Sequence, residues 1–343
     1  MKTKVKGVSP ETPIVTNLGI LDVKHLACVL TPNVKVEPRN NFKVKNIEND
    51  WVTVTAVTNL GQQSVRDIVL SDGRSYVFGE DQEVLTNKGF LCGNDIKENL
   101  DIVIHSECDI DRAPIHRLQG YPNTIFGDDS LSLIKLLGII TAFGVVTCET
   151  GVVGLKDIPA RVSLEFTTLM EKLFKLDNTY LTITAQSRVT TSLHYTHLGL
   201  ARWMYGILSN GVPYEIMSAS KEQILMFING MSDPRYLQVK SSIRGGKYVY
   251  NGSKYQVARQ VFSLLRSLGY SPVIVDENNG THSVLTIGVN VLEDNVNKTT
   301  TDTNNPVMMS IKETCNYLDE LYLIEIEYGN NFILDGILIN VGE

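Results

Sequence analysis

The sequence predicts a β plus α+β architecture: an all-β domain whose chain is interrupted by an α+β domain and resumes near the carboxyl end. Three observations predict it. Residues from about 10 to 120 carry many short runs of period-two apolar alternation and no helical period longer than two turns. The middle third switches to apolar spacings of a 3.6-residue period, with strand-like pieces between the helical ones. A polar stretch, NVNKTTTDTNNP at 295–306, has no apolar period, and after it the period-two pattern returns. The expected division is a β part at 1–122, an α+β part at 123–294, a linker at 295–306 and a second β part at 307–343.

Each element has its own signal. Trp51–Val57, WVTVTAV, alternates β-branched and small residues, and Asn59-Leu60-Gly61 reads as a turn after it. Ile68–Leu70 runs into Ser71-Asp72-Gly73 and out through Tyr76–Phe78, a hairpin on a strong Asp-Gly turn. EVLTNKGF at 83–90 repeats the strand-turn-strand pattern. Ser130–Val145 is spaced for a buried helix, and 164–176 for an amphipathic one with Phe166, Leu169, Leu173 and Leu176 on one side. Leu198–Leu208 and Lys221–Met231 follow as helices. Ser253–Leu268 is bracketed by an N-cap serine and by Gly269 as its stop. TYLTITA, YLQVKSSI and SVLTIGV are strand-like pieces, and YLIEIEYGNNFILDGILIN at 322–340 closes the chain in β runs.

Composition narrows the function classes. With 43% hydrophobic and 20% charged residues over 343 positions, the chain has the make-up of a globular protein with room for two cores. The opening MKTKVKGVSPETPIV lacks an apolar h-region, and no window approaches a membrane span, so the expectation is a cytoplasmic protein, in host cytoplasm or virion if viral, without membrane contact. Five cysteines without a CxxC pair read as free thiols. A net charge of −7 confines any polyanion binding to a local patch. With no Gly-rich phosphate loop and no defensible metal pattern, no cofactor and no metal are expected; His194 and His197, three residues apart, and the cluster His105, Cys108, Asp109, Asp111 and His116 match no zinc spacing.

GVSPETPIVTNLGILDVKHL from Gly7, VTVTAVTNLG, VLSDGRSYVFGEDQEVLTNKGF and the closing YLIEIEYGNNFILDGILIN resemble, in order, the blocks of an intein, or Hint domain. Inside them, LLGIITAFG at 136–144 and INGMSDPRY at 228–236 resemble the paired helices of a LAGLIDADG homing endonuclease, with supporting text, GVPYEIMSASKEQILMFINGM, before the second helix and SKYQVARQVFSLLRSLGYSPVI after it. Gly138 and Ala142 on the first helix, and Gly230 with Pro234 on the second, are small residues one turn apart, which lets two helix backbones approach closely.

The resemblance also implies where chemistry should lie, and there the sequence departs. Splicing begins with a thiol or hydroxyl nucleophile at the first position; the matching residue is Gly7, with Ser9 two residues on as a turn serine. The family's Thr-x-x-His falls on Gly79 and Gln82, and glutamine cannot titrate. The aspartate after Tyr322 is Leu323, the histidine before Asn331 is Asn330, the histidine that assists cyclisation is Ile339, and the following nucleophile is Val341, so Asn340 alone keeps the family identity. The two metal-holding carboxylates of the nuclease fall on Phe143 and Arg235, with Asp128, Asp129 and Asp233 as displaced carboxylates.

From Pro234 to Val275 there is no acidic residue, while Arg235, Lys240, Arg244, Lys247, Lys254, Arg259 and Arg266 alternate with Tyr236, Tyr248, Tyr250 and Tyr255. A basic, aromatic surface of that kind suits duplex DNA backbone contact, and equally a solvated face. The expectation is a domesticated intein, inactive in splicing and cleavage and not an enzyme, retained to bind duplex DNA. Two other readings stand beside it: a structural or interaction protein of a phage or viral particle or other assembly, and a residual DNA endonuclease using displaced carboxylates.

Overall fold

The computed structural model describes residues 5–27, 31–98, 100–104, 112, 114–115, 118, 129–186, 190–232, 246–270, 272–276, 282–287 and 307–341. In chain order the elements are β1 (Pro13–Thr16), β2 (Gly19–Asp22), β3 (Lys35–Val36), β4 (Lys43–Lys45), β5 (Trp51–Leu70), β6 (Ser75–Gly79), β7 (Glu83–Thr86), β8 (Gly89–Cys92) and β9 (Asp101–Ile104). The helical part brings α1 (Asp129–Phe143), β10 (Gly144–Thr147), β11 (Val152–Pro159), α2 (Ala160–Phe174), β12 (Leu181–Gln186), β13 (Thr190–Thr196), α3 (Leu198–Leu208), α4 (Tyr214–Met217) and α5 (Lys221–Met231). Then come β14 (Gly246–Gly252), α6 (Tyr255–Ser267), β15 (Pro272–Asp276) and β16 (His282–Ile287), and finally β17 (Val307–Ile326), β18 (Asn331–Leu334) and β19 (Ile337–Asn340). Two compact units result: Met1–Asp111 with Ser263–Gly269 and Thr299–Glu343, and Arg112–Phe262 with Tyr270–Lys298. The fold is an antiparallel all-β unit interrupted by an α+β unit.

The first unit is one sheet system in the order β18-β19-β7-β9-β17-β5-β4-β1-β2, with β3 and β6 paired to β5 and β8 to β7. Its spine is the antiparallel pair β5 and β17, strands of 20 residues each drawn from opposite ends of the chain. Alternation fills one core with Val54, Val57, Ile68, Tyr322, Ile324 and Ile339. Two Asp-Gly turns meet in it. Arg74, fully buried after the first turn, donates from Nε to Asp72 Oδ2 at 2.9 Å and from a terminal nitrogen to Asp335 O at 2.8 Å in the second. Tyr76 donates its hydroxyl to that same carbonyl at 2.7 Å.

One expected turn is not a turn. Asn59-Leu60-Gly61 lies inside β5, where the register against β17 slips between Leu321 and Tyr322. Gly61 at φ +65 takes up the extra residue, and Asn59 Oδ1 accepts from the Gly61 N–H at 2.7 Å. Residues chosen for a turn serve a β-bulge just as well, because both demand a positive φ and a local side-chain acceptor.

In the second unit, β10-β11-β13-β12 form an antiparallel sheet, and β14-β16-β15 form another. Helices α1, α2 and α3 pack over one face of the first, burying Leu136, Val153, Phe166, Leu193 and Tyr195. α1 stops two residues before the expected end, and Gly144 starts a strand instead; α2 begins four residues earlier than its apolar stripe, directly after Pro159, and closes on Lys175 in the left-handed region. YLQVKSSI, the 295–306 stretch and the His105–His116 cluster, with its members Cys108, Asp109 and Asp111, lie outside the described residues. No helix among the described residues is long and apolar enough to cross a membrane, and the described Cys92, Cys148 and Cys315 are free thiols.

Candidate functional site

The first unit brings together positions that lie more than 250 residues apart in sequence. Gly7 forms its backbone pairing between two strands: its carbonyl accepts from Gly79 N–H at 2.9 Å, and the next residue, Val8, exchanges both backbone bonds with Tyr322 at 2.9 and 2.8 Å. Gln82, on the turn before β7 and 1% exposed, aims its side chain between the two chain ends. Its Oε1 accepts from the Gly7 N–H at 3.0 Å, and its Nε2 donates to the Asn340 carbonyl at 2.7 Å. A carboxamide has both an acceptor and donors, so one neutral side chain satisfies both ends at once.

Around this bridge lie the other positions that the resemblance marks. Asn340 pairs with Glu83 across β19 and β7, and its Nδ2 donates to Glu83 Oε2 at 2.6 Å. Val341 donates its N–H to Asn330 O at 2.7 Å and packs against the core, and Lys6 Nζ reaches Val341 O at 3.4 Å. Ile339 is buried on β19 opposite Val84. Leu323 sits on β17 opposite Thr58. Gly7 has φ +129, and a Cβ there would stand 3.0 Å from Tyr322 O; at Gly79 it would stand 2.3 Å from Val5 O. The two glycines are thus built into the packing, and Gly7 offers no atom that could attack the Lys6 carbonyl.

The second unit places the two motif helices against each other. A Cβ on Gly138 would lie 2.1 Å from Phe227 O, and one on Gly230 2.1 Å from Lys135 O, so α1 and α5 cross with their backbones in contact. Ala142 is half-buried one turn further along α1. At the end of α1, Phe143 turns its ring onto the apolar core beneath the sheet. A hydrocarbon ring there does not fit the divalent ion that the family resemblance implies. Asp129 pairs with Lys172 at 2.8 Å at the opposite end of α1, about 21 Å along the axis at 1.5 Å per residue. Arg235, Asp233 and Asp128 lie outside the described residues.

The basic stretch is described only in part. Arg235, Lys240 and Arg244 lie outside the described residues, and Lys247 is placed as backbone in β14. Lys254 is exposed just before α6 and lines a cleft of about 280 Å³ with Thr141, Gly144, Tyr205 and Gly211. Arg259 and Tyr250, read as surface groups in the sequence, are buried at 5% and 3% exposure. Arg259 falls on the inner side of α6, where the 3.6-residue period turns one side of a basic run toward the core. Burial pushes the Tyr250 phenol up to about 12. His194 and His197 share no helix face: His194 is on β13, while His197 caps α3, its Nδ1 accepting from Leu200 N at 3.1 Å.

A feature that sequence reasoning missed lies on the sheet face away from α1 and α2. There Val145, Val152, Lys156, Asp157, Thr184, Ser192 and His194 line a cleft of about 360 Å³. The positive φ of Asp157, +52, and the register shifts of β11 and β12 beside Ser192 mark the place in the backbone, and no sequence signal announces it.

No family model and no curated protein matches the sequence. Among solved structures the chain is similar to a mutant of the Ssp DnaB mini-intein, at 8% identity and TM-score 0.32 over 98% of this chain and 99% of that one. It is similar to mesophilic variants of the homing endonuclease I-DmoI, at 17% identity and TM-score 0.37 over 50% of this chain and all, 100%, of the other. A DnaB intein from Synechocystis sp. PCC 6803 is similar at 16% identity and TM-score 0.25, over 31% of this chain and 72% of that one.

Proposed function

We propose that this chain is an intein-derived protein that neither splices nor cleaves DNA and is retained as a binding protein for duplex DNA. The observation that supports the loss of splicing is the Gln82 bridge. The two junction positions are held in register by a non-titrating side chain, and the first of them is a glycine with no room for a nucleophile. Phe143, partly buried and packed against the core, supports the loss of cleavage in the same sense. DNA binding rests on the acid-free run 234–275, of which Lys254 is solvent-exposed.

The test combines two measurements on one preparation. Random duplex DNA is titrated at low and moderate salt, with and without Mg²⁺, and the same samples are run on a gel. Binding that falls steeply with salt, without cleavage, is expected. Changing Lys240, Arg244 and Lys247 together to glutamate removes roughly three units of the log–log salt slope, at about 0.9 per phosphate contact. Indifference to that change rejects the DNA reading. An intact mass still including Val341, Gly342 and Glu343 after long incubation is the second expected result, and a product ending at Asn340 rejects an inert junction.

A further inference from the structure

In the first unit, β17 is a sheet edge over the middle of its length. On one side it pairs with β5 from Ile311 to Ile326. On the other, β9 covers only 307–310, Ile311 N–H reaches Leu100 O at 3.3 Å, and Val8 meets Tyr322. Tyr322 gives both backbone groups to Val8, so the residues that face the same way behind it on the extended strand are Glu320, Leu318, Asn316 and Thr314. Glu320 N–H donates to Asp319 Oδ1 at 2.8 Å. The backbone N–H and C=O groups of Thr314, Asn316 and Leu318 have no hydrogen bond on that side among the described residues. Nothing lies over the strand there, since Leu318 is 70% exposed and Tyr317 41%. Such an edge is a template for another strand.

The charge along this edge selects which strand. Glu313, Cys315, Tyr317 and Asp319 share one face, with Asp67 of β5 directly opposite Cys315. Neither strand places a Lys or Arg on that face over this stretch. Burial, with the Asp67 and Glu313 carboxylates, pushes the Cys315 thiol up. Arg66 serves the other face, where it donates to Thr314 Oγ1 and Asn316 Oδ1 at 2.8 Å each. A second copy paired antiparallel about Asn316 would set Glu313 of one chain opposite Asp319 of the other, and like charges directly opposite are destabilising. A strand with Lys or Arg at every second residue instead lays its cations along Glu313, Asp67 and Asp319, and its intervening residues fall on the side of Leu318.

We propose that the β17 edge at 314–318 accepts an extended basic peptide of a partner protein as an added strand, held by backbone hydrogen bonds and selected by the acidic row. This interaction is separate from DNA binding and stands whether or not the chain binds DNA. The probe is a short labelled peptide alternating lysine and valine, titrated into the full chain by fluorescence anisotropy at low and moderate salt. Saturable binding that weakens with salt is expected. The same peptide methylated on its backbone nitrogens keeps its charge but cannot donate to the edge, and it should bind roughly tenfold more weakly or worse. Leu318→Pro removes an outward N–H at a place where edge strands tolerate proline, and it should cause a similar loss with the urea midpoint of wild type. Glu313→Lys, at an exposed position, should weaken binding by about threefold or more and flatten its salt dependence, and it carries the test should the proline variant fail to fold. Equal binding of the methylated peptide means charge attraction alone and overturns the inference, as does absence of binding at low salt. Concentration-dependent dimers of the wild type that Leu318→Pro abolishes would give the edge to a second copy and overturn it too.

Discussion

Gln82 is the residue on which the first unit turns. Truncation to alanine removes the acceptor of the buried Gly7 N–H and one donor to the part-buried Asn340 carbonyl, and an unsatisfied buried group costs about 1–3 kcal/mol. Gln82→Ala should lower the urea midpoint without changing the slope, and Gln82→Glu, which sets a buried carboxylate oxygen against the Asn340 carbonyl, should lower it at least as far at pH 7. A Gln82→Ala midpoint equal to wild type would show that the bridge carries no stability. The sequence displays Gln82 only as a missing histidine; what it holds depends on β7 lying beside β19, a pairing across more than 250 residues that no local signal encodes. Tyr250 makes a second residue-scale case. With its phenol raised to about 12 by burial, the folded state favours the neutral form, whereas the unfolded chain ionises at about 10. That contribution is whole below pH 10 and is lost as pH climbs toward 12. Tyr250→Phe should therefore lose less stability than wild type between those pH values in thermal melts, and parallel alkaline losses would refute the assignment.

Among elements, the crossing of α1 and α5 is the sharpest constraint, and it was legible. Small residues one turn apart predict close backbones, and the contact between Gly138 and the Phe227 carbonyl is the physical form of that prediction. Because the atom met is backbone oxygen and not the tip of a side chain, even one methyl group forces the helices apart. Gly138→Ala and Gly230→Ala should each cost about 1–3 kcal/mol or more, and Ala142→Gly much less. Equal, small effects at all three positions in denaturant melts would mean that the crossing tolerates separation. Other features of this unit stayed hidden for reasons the same elements supply. The bulges around Ser192 are faults of register, set by what the neighbouring strands do, and period-two alternation does not record them. The basic run looked like one surface because charge was read along the chain, whereas α6 takes Arg259 inward.

At the scale of the molecule, the first unit is assembled from both ends of the chain, with the second unit inserted between. The expected alternation of β, α+β and β is visible in sequence because each part keeps a different apolar period; which strands pair across the insertion is not, since that depends on contacts of very long sequence separation. Those contacts are the argument for a final prediction. β5 and β17 run antiparallel from Leu70 opposite Ile311 to Val54 opposite Ile326, and the carboxyl end adds β19 beside β7 and β9. Neither end can bury Ile68, Tyr322 or Ile339 by itself, since the core takes residues from both. Fragments 1–111 and 299–343, produced separately, should each lack a cooperative unfolding transition, and mixing them should restore one whose midpoint rises with concentration, as linkage requires of a two-chain fold. Its stability should sit below that of the full chain. Covalent continuity is gone, and so is the bond from Ser263 Oγ to Asp335 Oδ1 at 3.0 Å that the segment Ser263–Gly269 supplies. If the amino-terminal fragment unfolds cooperatively without its partner, the β5–β17 pair is not the spine of this unit, and the core must close on residues 1–111 alone.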